Sequence, residues 1–118
     1  RTVVISTGAA AGAVLRHLLQ TSLNTLWPKG TLIANLAGCF TAGVLWPFFH
    51  LWRSGTQLLF LTGFLGSLTT LSSFSLETVL LVEKRHSLLG FYYLSTTVAG
   101  SLVACAVGCA TGRWLLMR

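Results

Sequence analysis

Charge is what this chain has least of. Only 8% of its 118 residues are charged, and Asp and Glu together number two. Soluble domains carry roughly 25% charged residues, so that class is excluded, and the 53% hydrophobic content points to a single integral membrane domain, 1–118. The formal net charge of +6 comes from scattered Lys and Arg. No basic run and no aromatic-interleaved patch is present, so no nucleic-acid partner is inferred. There is no signal-peptide pattern, and the chain opens at Arg1 without Met, so a few native residues are expected before it. The three cysteines, Cys39, Cys105 and Cys109, include no CxxC and offer neither a disulfide framework nor a metal motif. They read as small packing residues. Nucleophile–base pairs, metal clusters and phosphate loops are missing too, so no catalysis is expected.

What is present is apolar sequence of membrane length. A spanning helix takes about 20 apolar residues, and residues 2–23, 30–52, 56–82 and 88–116 each qualify. An all-α protein with four transmembrane helices follows, multi-pass in the plasma (inner) membrane. Residues 24–29 form a short connection, and residues 83–87 the only strongly polar loop. Pro47 is expected to kink or end the second span, and Trp46, Trp52, Phe48, Phe49 and His50 resemble an interfacial belt. With four spans, both termini and Arg53 lie on one side. That side carries Arg1, Arg53, Arg113 and Arg118, against Lys29, Lys84 and Arg85 on the other: four positive residues to three. Orientation depends on such an imbalance; here it almost vanishes, so the chain inserts either with help or in both orientations, and dual insertion would allow an antiparallel homodimer. Glycines four apart, Gly8 with Gly12 and Gly108 with Gly112, and Gly38 and Gly43 in the second span, suit close helix packing.

The third span is the least ordinary. Residues 63–77 hold glycines, a glutamate and six Ser or Thr side chains. Such a composition permits a broken helix, and irregular backbone survives in a bilayer only where it is buried in protein or lines a polar cavity. Its freed carbonyls and hydroxyls can bind an ion. Phe74 offers ring edges of positive potential, or simple packing. Asn35 is a polar residue in a charge-free span and must find partners. It either fixes packing or lines a pathway. Arg16 either snorkels to the interface or provides a positive charge in an aqueous vestibule. Thr69, Thr70, Ser72, Ser73 and Ser75 form adjacent stripes, though some hydroxyls can simply bond the preceding turn. Thr97, Ser101 and Cys105 form a polar track at i, i+4 and i+8. Glu77, the one acid within a span, is a functional residue or pairs with Arg16 or a hydroxyl.

Three motifs resemble the Fluc (CrcB) family of small fluoride channels. They are Gly12-Ala13-Val14-Leu15-Arg16-His17, then Gly30-Thr31-Leu32-Ile33-Ala34-Asn35-Leu36-Ala37-Gly38, and then the stretch from Gly63 to Glu77. Their order, spacing and four-span layout agree over the whole chain. The resemblance implies passive, fluoride-selective export that protects the cell, through a dual-topology dimer of antiparallel subunits with two pathways. It places Phe74, Asn35, Ser101, Thr97, Thr70, Ser73, Glu77 and Arg16 along the fluoride pathway, with the Asn35 NH2 facing the anion or the aromatic ring. It also implies a structural sodium ion at the dimer centre, held by the backbone carbonyls of Gly66 and Thr69. Two positions depart from the family pattern: Leu71 stands where the family has the first of two phenylalanines, and His17 where an aromatic is common. Altered rate or anion affinity is expected from Leu71, or a heterodimer whose other subunit brings the missing ring. Two rival readings stand beside this one. A small multidrug transporter needs a carboxylate in the first span, where this chain has Arg16. A non-transporting anchor subunit binding haem through His17 and His50 leaves the third span unexplained.

Overall fold

The computed structural model describes residues 1–25 and 27–118; Leu26, in the first connection, and the side chains of His50 and Ser54 lie outside the described residues. The chain is all-helical, and four of its helical stretches are long and apolar enough to cross a membrane: Thr2–Leu23, Lys29–Phe49, Gly55–Glu83 and Ser87–Met117. Helix α1 covers Thr2–Leu23. It stops at Asn24, whose backbone turns extended. The Asn24 side chain then reaches forward, its Oδ1 accepting the N–H groups of Gly30 at 2.7 Å and Thr31 at 3.3 Å. Those are orphan donors of the next helix, α2, Lys29–Leu45, so one side chain ends the first span and caps the second.

Regular α2 ends before the expected residue 52. Trp46–Leu51 is a 3-10 helix with Pro47 in its first turn, because proline has no N–H to give the preceding turn. A short helix α3, Ser54–Gln57, leads into a π-helical stretch, Leu58–Leu65. Helix α4, Gly66–Leu68, follows. Thr69 (φ −83°, ψ 148°) and Thr70 (φ −149°, ψ 129°) are extended, and α5 then runs Leu71–Glu83. A bond from the His86 N–H to the Leu81 carbonyl, 2.8 Å, closes its end, with Arg85 in the left-handed region at φ 64°. That is the geometry of a Schellman cap, with arginine in the position glycine usually takes. Helix α6, Ser87–Met117, is uninterrupted for 31 residues.

The spans pack in two parallel pairs. Along α2 and α6, a Cβ on Gly108 would strike the Phe40 carbonyl, one on Gly112 the Val44 carbonyl, and one on Gly43 the Cys105 carbonyl. Along α1, Gly8 and Gly12 meet the carbonyls of Leu59 and Phe64 in the same way. Backbones touch only because these positions carry no side chain. One buried apolar cluster joins Leu32, Phe74, Leu81 and Tyr93, and another joins Ala34, Leu65 and Leu68. Large apolar residues elsewhere face outward, Leu102 at 69% exposure among them, which suits a lipid surround and not water.

Candidate functional site

The candidate site grows from the two extended threonines. In an unbroken helix the Thr70 N–H would bond the Gly66 carbonyl four residues back. It donates instead to Asn35 Oδ1 at 2.8 Å, while Asn35 Nδ2 donates to the Thr70 carbonyl at 3.3 Å. The Asn35 amide thus pairs with a peptide group as a neighbouring strand would, and α2 holds the extended pair in place. One Nδ2 hydrogen remains after that bond. Thr70 Oγ1 accepts the Ser73 N–H at 3.4 Å, capping α5, and shares a hydrogen bond with Ser72 Oγ at 3.2 Å. The Thr69 methyl rests on Gly38, where any side chain would displace it.

A groove of about 470 Å³ opens over this pair, lined from α2 by Asn35 and Cys39 and from the third span by Gly66, Thr69, Thr70, Leu71 and Phe74. Thr97, Val98 and Ser101 of α6 complete it. Eight residues singled out from sequence therefore share one concave surface. Phe74 is buried and meets Tyr93 edge-on, with centroids 5.3 Å apart at 61°. Leu71, by contrast, is 75% exposed at the rim. Thr97 is buried, and its Oγ1 has no hydrogen-bond partner among the described residues; the same holds for the hydroxyl of Tyr93, which is 0% exposed. Unpaired buried hydroxyls are costly, on the order of 1–3 kcal/mol each. Both oxygens are enclosed by the helix packing.

Three expected residues fall outside the groove. Arg16 is half-buried and donates to the Ser67 carbonyl at 3.0 Å, so it satisfies the end of α4, where the helix dipole favours a cation. Ser73 contributes its backbone N–H to the α5 cap. Glu77 lies in a separate polar knot, accepting from Thr31 Oγ1 at 2.8 and 3.0 Å and from Asn24 Nδ2 at 3.0 Å. Of the structural pairings considered for it, the hydroxyl is found and Arg16 is not. A smaller cavity of about 140 Å³ borders it, between Thr25, Pro28 and Lys84.

Sequence reasoning missed Tyr93 and Thr31. Both were within reach of a pattern already in hand. Tyr93 lies four residues before Thr97 and extends the Thr97–Ser101 stripe by a turn; Thr31 lies four before Asn35. Gln20 was also overlooked; its Nε2 donates to Thr31 Oγ1 at 3.1 Å. For the haem reading, His17 is exposed, and the His50 side chain lies outside the described residues. Among the described residues no three His, Cys, Asp or Glu side chains are placed to hold a metal ion.

Residues 3–109 match the family described as "CrcB-like protein, Camphor Resistance (CrcB)". The chain is 42% identical over 123 residues to a protein of Chromobacterium violaceum named "Fluoride-specific ion channel FluC", with 96% of this chain and 94% of that one covered. Relatives of the same name in Bordetella pertussis (42% identity, 97% and 92% covered) and Tolumonas auensis (43%, 92% and 91%) are similarly close.

Proposed function

This chain belongs to the CrcB family, and from that premise we propose that it is a fluoride-selective channel of the inner membrane. It is not an enzyme. It lets fluoride leave the cell down its electrochemical gradient. HF crosses a bilayer as a neutral acid and ionises inside, so the trapped anion needs only a passive pore.

The observation that carries this reading is the groove with its polar lining. Thr97 Oγ1, buried and unpartnered, lines the same surface as Asn35, Ser101 and Phe74. A dehydrated anion exchanges water for such neutral donors. They hold it firmly enough to enter and weakly enough to leave, where a fixed cation would trap it. Phe74 adds a ring of fixed position, locked by its contact with Tyr93. Asn35 acts chiefly by positioning, since its oxygen and one amide hydrogen are engaged with Thr70; the remaining amide hydrogen is free for the anion. Arg16 balances the C-terminal end of α4, and Glu77 anchors the groove's neighbour, α5, to α2.

The pathway is completed by a second, antiparallel copy of the chain. Gly66, Ser72 and Ser75 are exposed along the third span, and polar groups facing hydrocarbon are expensive; a partner subunit relieves that cost. The helix break at Thr69-Thr70 lies on the same side, and the nearly even spread of positive residues suits insertion in both orientations. The Gly66 carbonyl has lost its helical donor to Asn35, and carbonyl oxygens are hard donors of the kind alkali ions accept. Gly66 and Thr69 therefore fit the ligand set for a structural sodium ion, whose positive charge would stabilise the paired breaks.

Fluoride efflux from liposomes containing the purified chain, with chloride-loaded liposomes beside them, tests the function. Rapid fluoride release with chloride retained is expected. No release from the homodimer, restored by adding a family subunit that carries both phenylalanines, would replace the homodimer with a heterodimer.

A further inference from the structure

Three thiols converge on the α2–α6 contact, and the proposed transport uses none of them. Cys39 lines the groove beside Asn35 and Ser101. One turn further along α2, Gly43 lies against the backbone of Cys105 and Cys109. Those two cysteines are four residues apart and share a face of α6, the face that already presents Thr97 and Ser101 to the groove. All three cysteines are free and half-buried. Along one stripe of α6, hard hydroxyl donors thus give way to soft sulfur donors.

Sulfur ligands select soft cations such as cuprous ion. No three ligating side chains are placed to hold one metal ion among the described residues, so a closed three-thiol cage is excluded. A soft monovalent d10 cation needs only two sulfurs, in a linear arrangement. We propose that Cys105 and Cys109 form such a two-sulfur site for a soft monovalent cation, silver or cuprous, at the α6 end of the groove, and that its occupation blocks fluoride. On binding, one thiol yields its proton to water and bonds as thiolate. The other gives a sulfur lone pair and keeps its proton. The occupied site is then neutral, as a membrane interior favours. Cys39 supplies the approach from the groove. The bound ion occupies the next step of the stripe after Ser101; the block, though not the binding, rests on the fluoride-channel reading.

The test is a titration of the purified full chain with silver nitrate in chloride-free detergent solution, followed by silver–thiolate absorption. One tight equivalent per chain is expected. Cys105→Ser and Cys109→Ser should each weaken it by at least about tenfold, and Cys39→Ser by no more than about threefold. Matching size-exclusion profiles establish that the variants are folded. Three equivalent sites in the unaltered chain, or tight binding retained in Cys105→Ser, overturn the site. In liposomes, one silver ion per chain should cut fluoride release at least about tenfold in the unaltered chain and leave Cys105→Ser unaffected. Undiminished release from the silver-loaded unaltered chain overturns the block. Absence of release before silver is added refutes the channel reading instead, while the titration still decides the site.

Discussion

Two polar clusters, one around Glu77 and one in the groove, differ in how fully their hydrogen bonds are paired. Around Glu77 the polar groups are paired: Thr31 Oγ1 donates to the carboxylate and accepts from Gln20 and Asn24, and Asn24 also reaches Glu77. Thr97 Oγ1, on a residue lining the groove, has no hydrogen-bond partner among the described residues, and neither has the Tyr93 hydroxyl one turn away. A fully paired network rigidifies and specifies a structure. It has nothing left to offer a passing ion. A cluster with open donors is costly to the fold and useful to a ligand. The knot fixes where α5 stands relative to α2; the groove is the surface that this positioning creates.

Mutations can sharpen or break that contrast. The largest effect is expected at Asn35, which belongs to both worlds: it pairs Thr70 and lines the groove. Asn35→Asp sets a carboxylate oxygen against the Thr70 carbonyl and should lower fluoride efflux by about 100-fold or more, the equivalent of ~2.7 kcal/mol on the barrier. Normal efflux in liposomes would dismiss the pairing as a requirement. Next comes Thr97→Val, which removes a buried hydroxyl that has no hydrogen-bond partner among the described residues. Efflux should fall about tenfold, while resistance to unfolding by SDS stays the same or rises. A loss of stability would mean that this hydroxyl has a partner after all.

Thr31→Val should show the reverse profile. It strips the hub from the knot and should cost ~1–2 kcal/mol in SDS unfolding, given the modest worth of single interhelical bonds in membranes. Efflux per folded channel should change by no more than about threefold. If efflux collapsed with stability intact, Glu77 and Thr31 would belong to the pathway, and the contrast would fail. The smallest effect is expected from Leu71→Phe at the exposed rim. Throughput should change by about two- to fivefold with stability unchanged, and equal rates for both chains would remove position 71 from the pathway.

Much of this site could be read in one dimension. The spacing Thr97–Ser101 predicts a shared helical face, and the two do line one groove. The crowding of Gly, Ser and Thr between residues 63 and 77 marks the region where Thr69 and Thr70 turn extended. Asn35 stands out as polar in a charge-free span. Its partner did not, because the Thr70 peptide group is anonymous in sequence and lies 35 residues away. Arg16 and Glu77 show where sequence runs out. As the charged residues inside spans they drew attention as pathway groups, yet each is tied to a distant neighbour, Ser67 at a separation of 51 and Thr31 at 46. Tyr93 escaped because aromatic residues are common at membrane edges, and only packing shows it wholly buried against Phe74.

The sequence by itself determined the number of spans, since bilayer thickness turns hydropathy into length, a property read along the chain. It determined where backbones could touch as well, because a glycine every fourth residue clears one helical stripe whatever lies opposite. Only the tertiary structure decided which polar groups are spent and which stay open. A hydrogen bond depends on two groups meeting in space, and no local pattern shows that Thr31 finds Glu77.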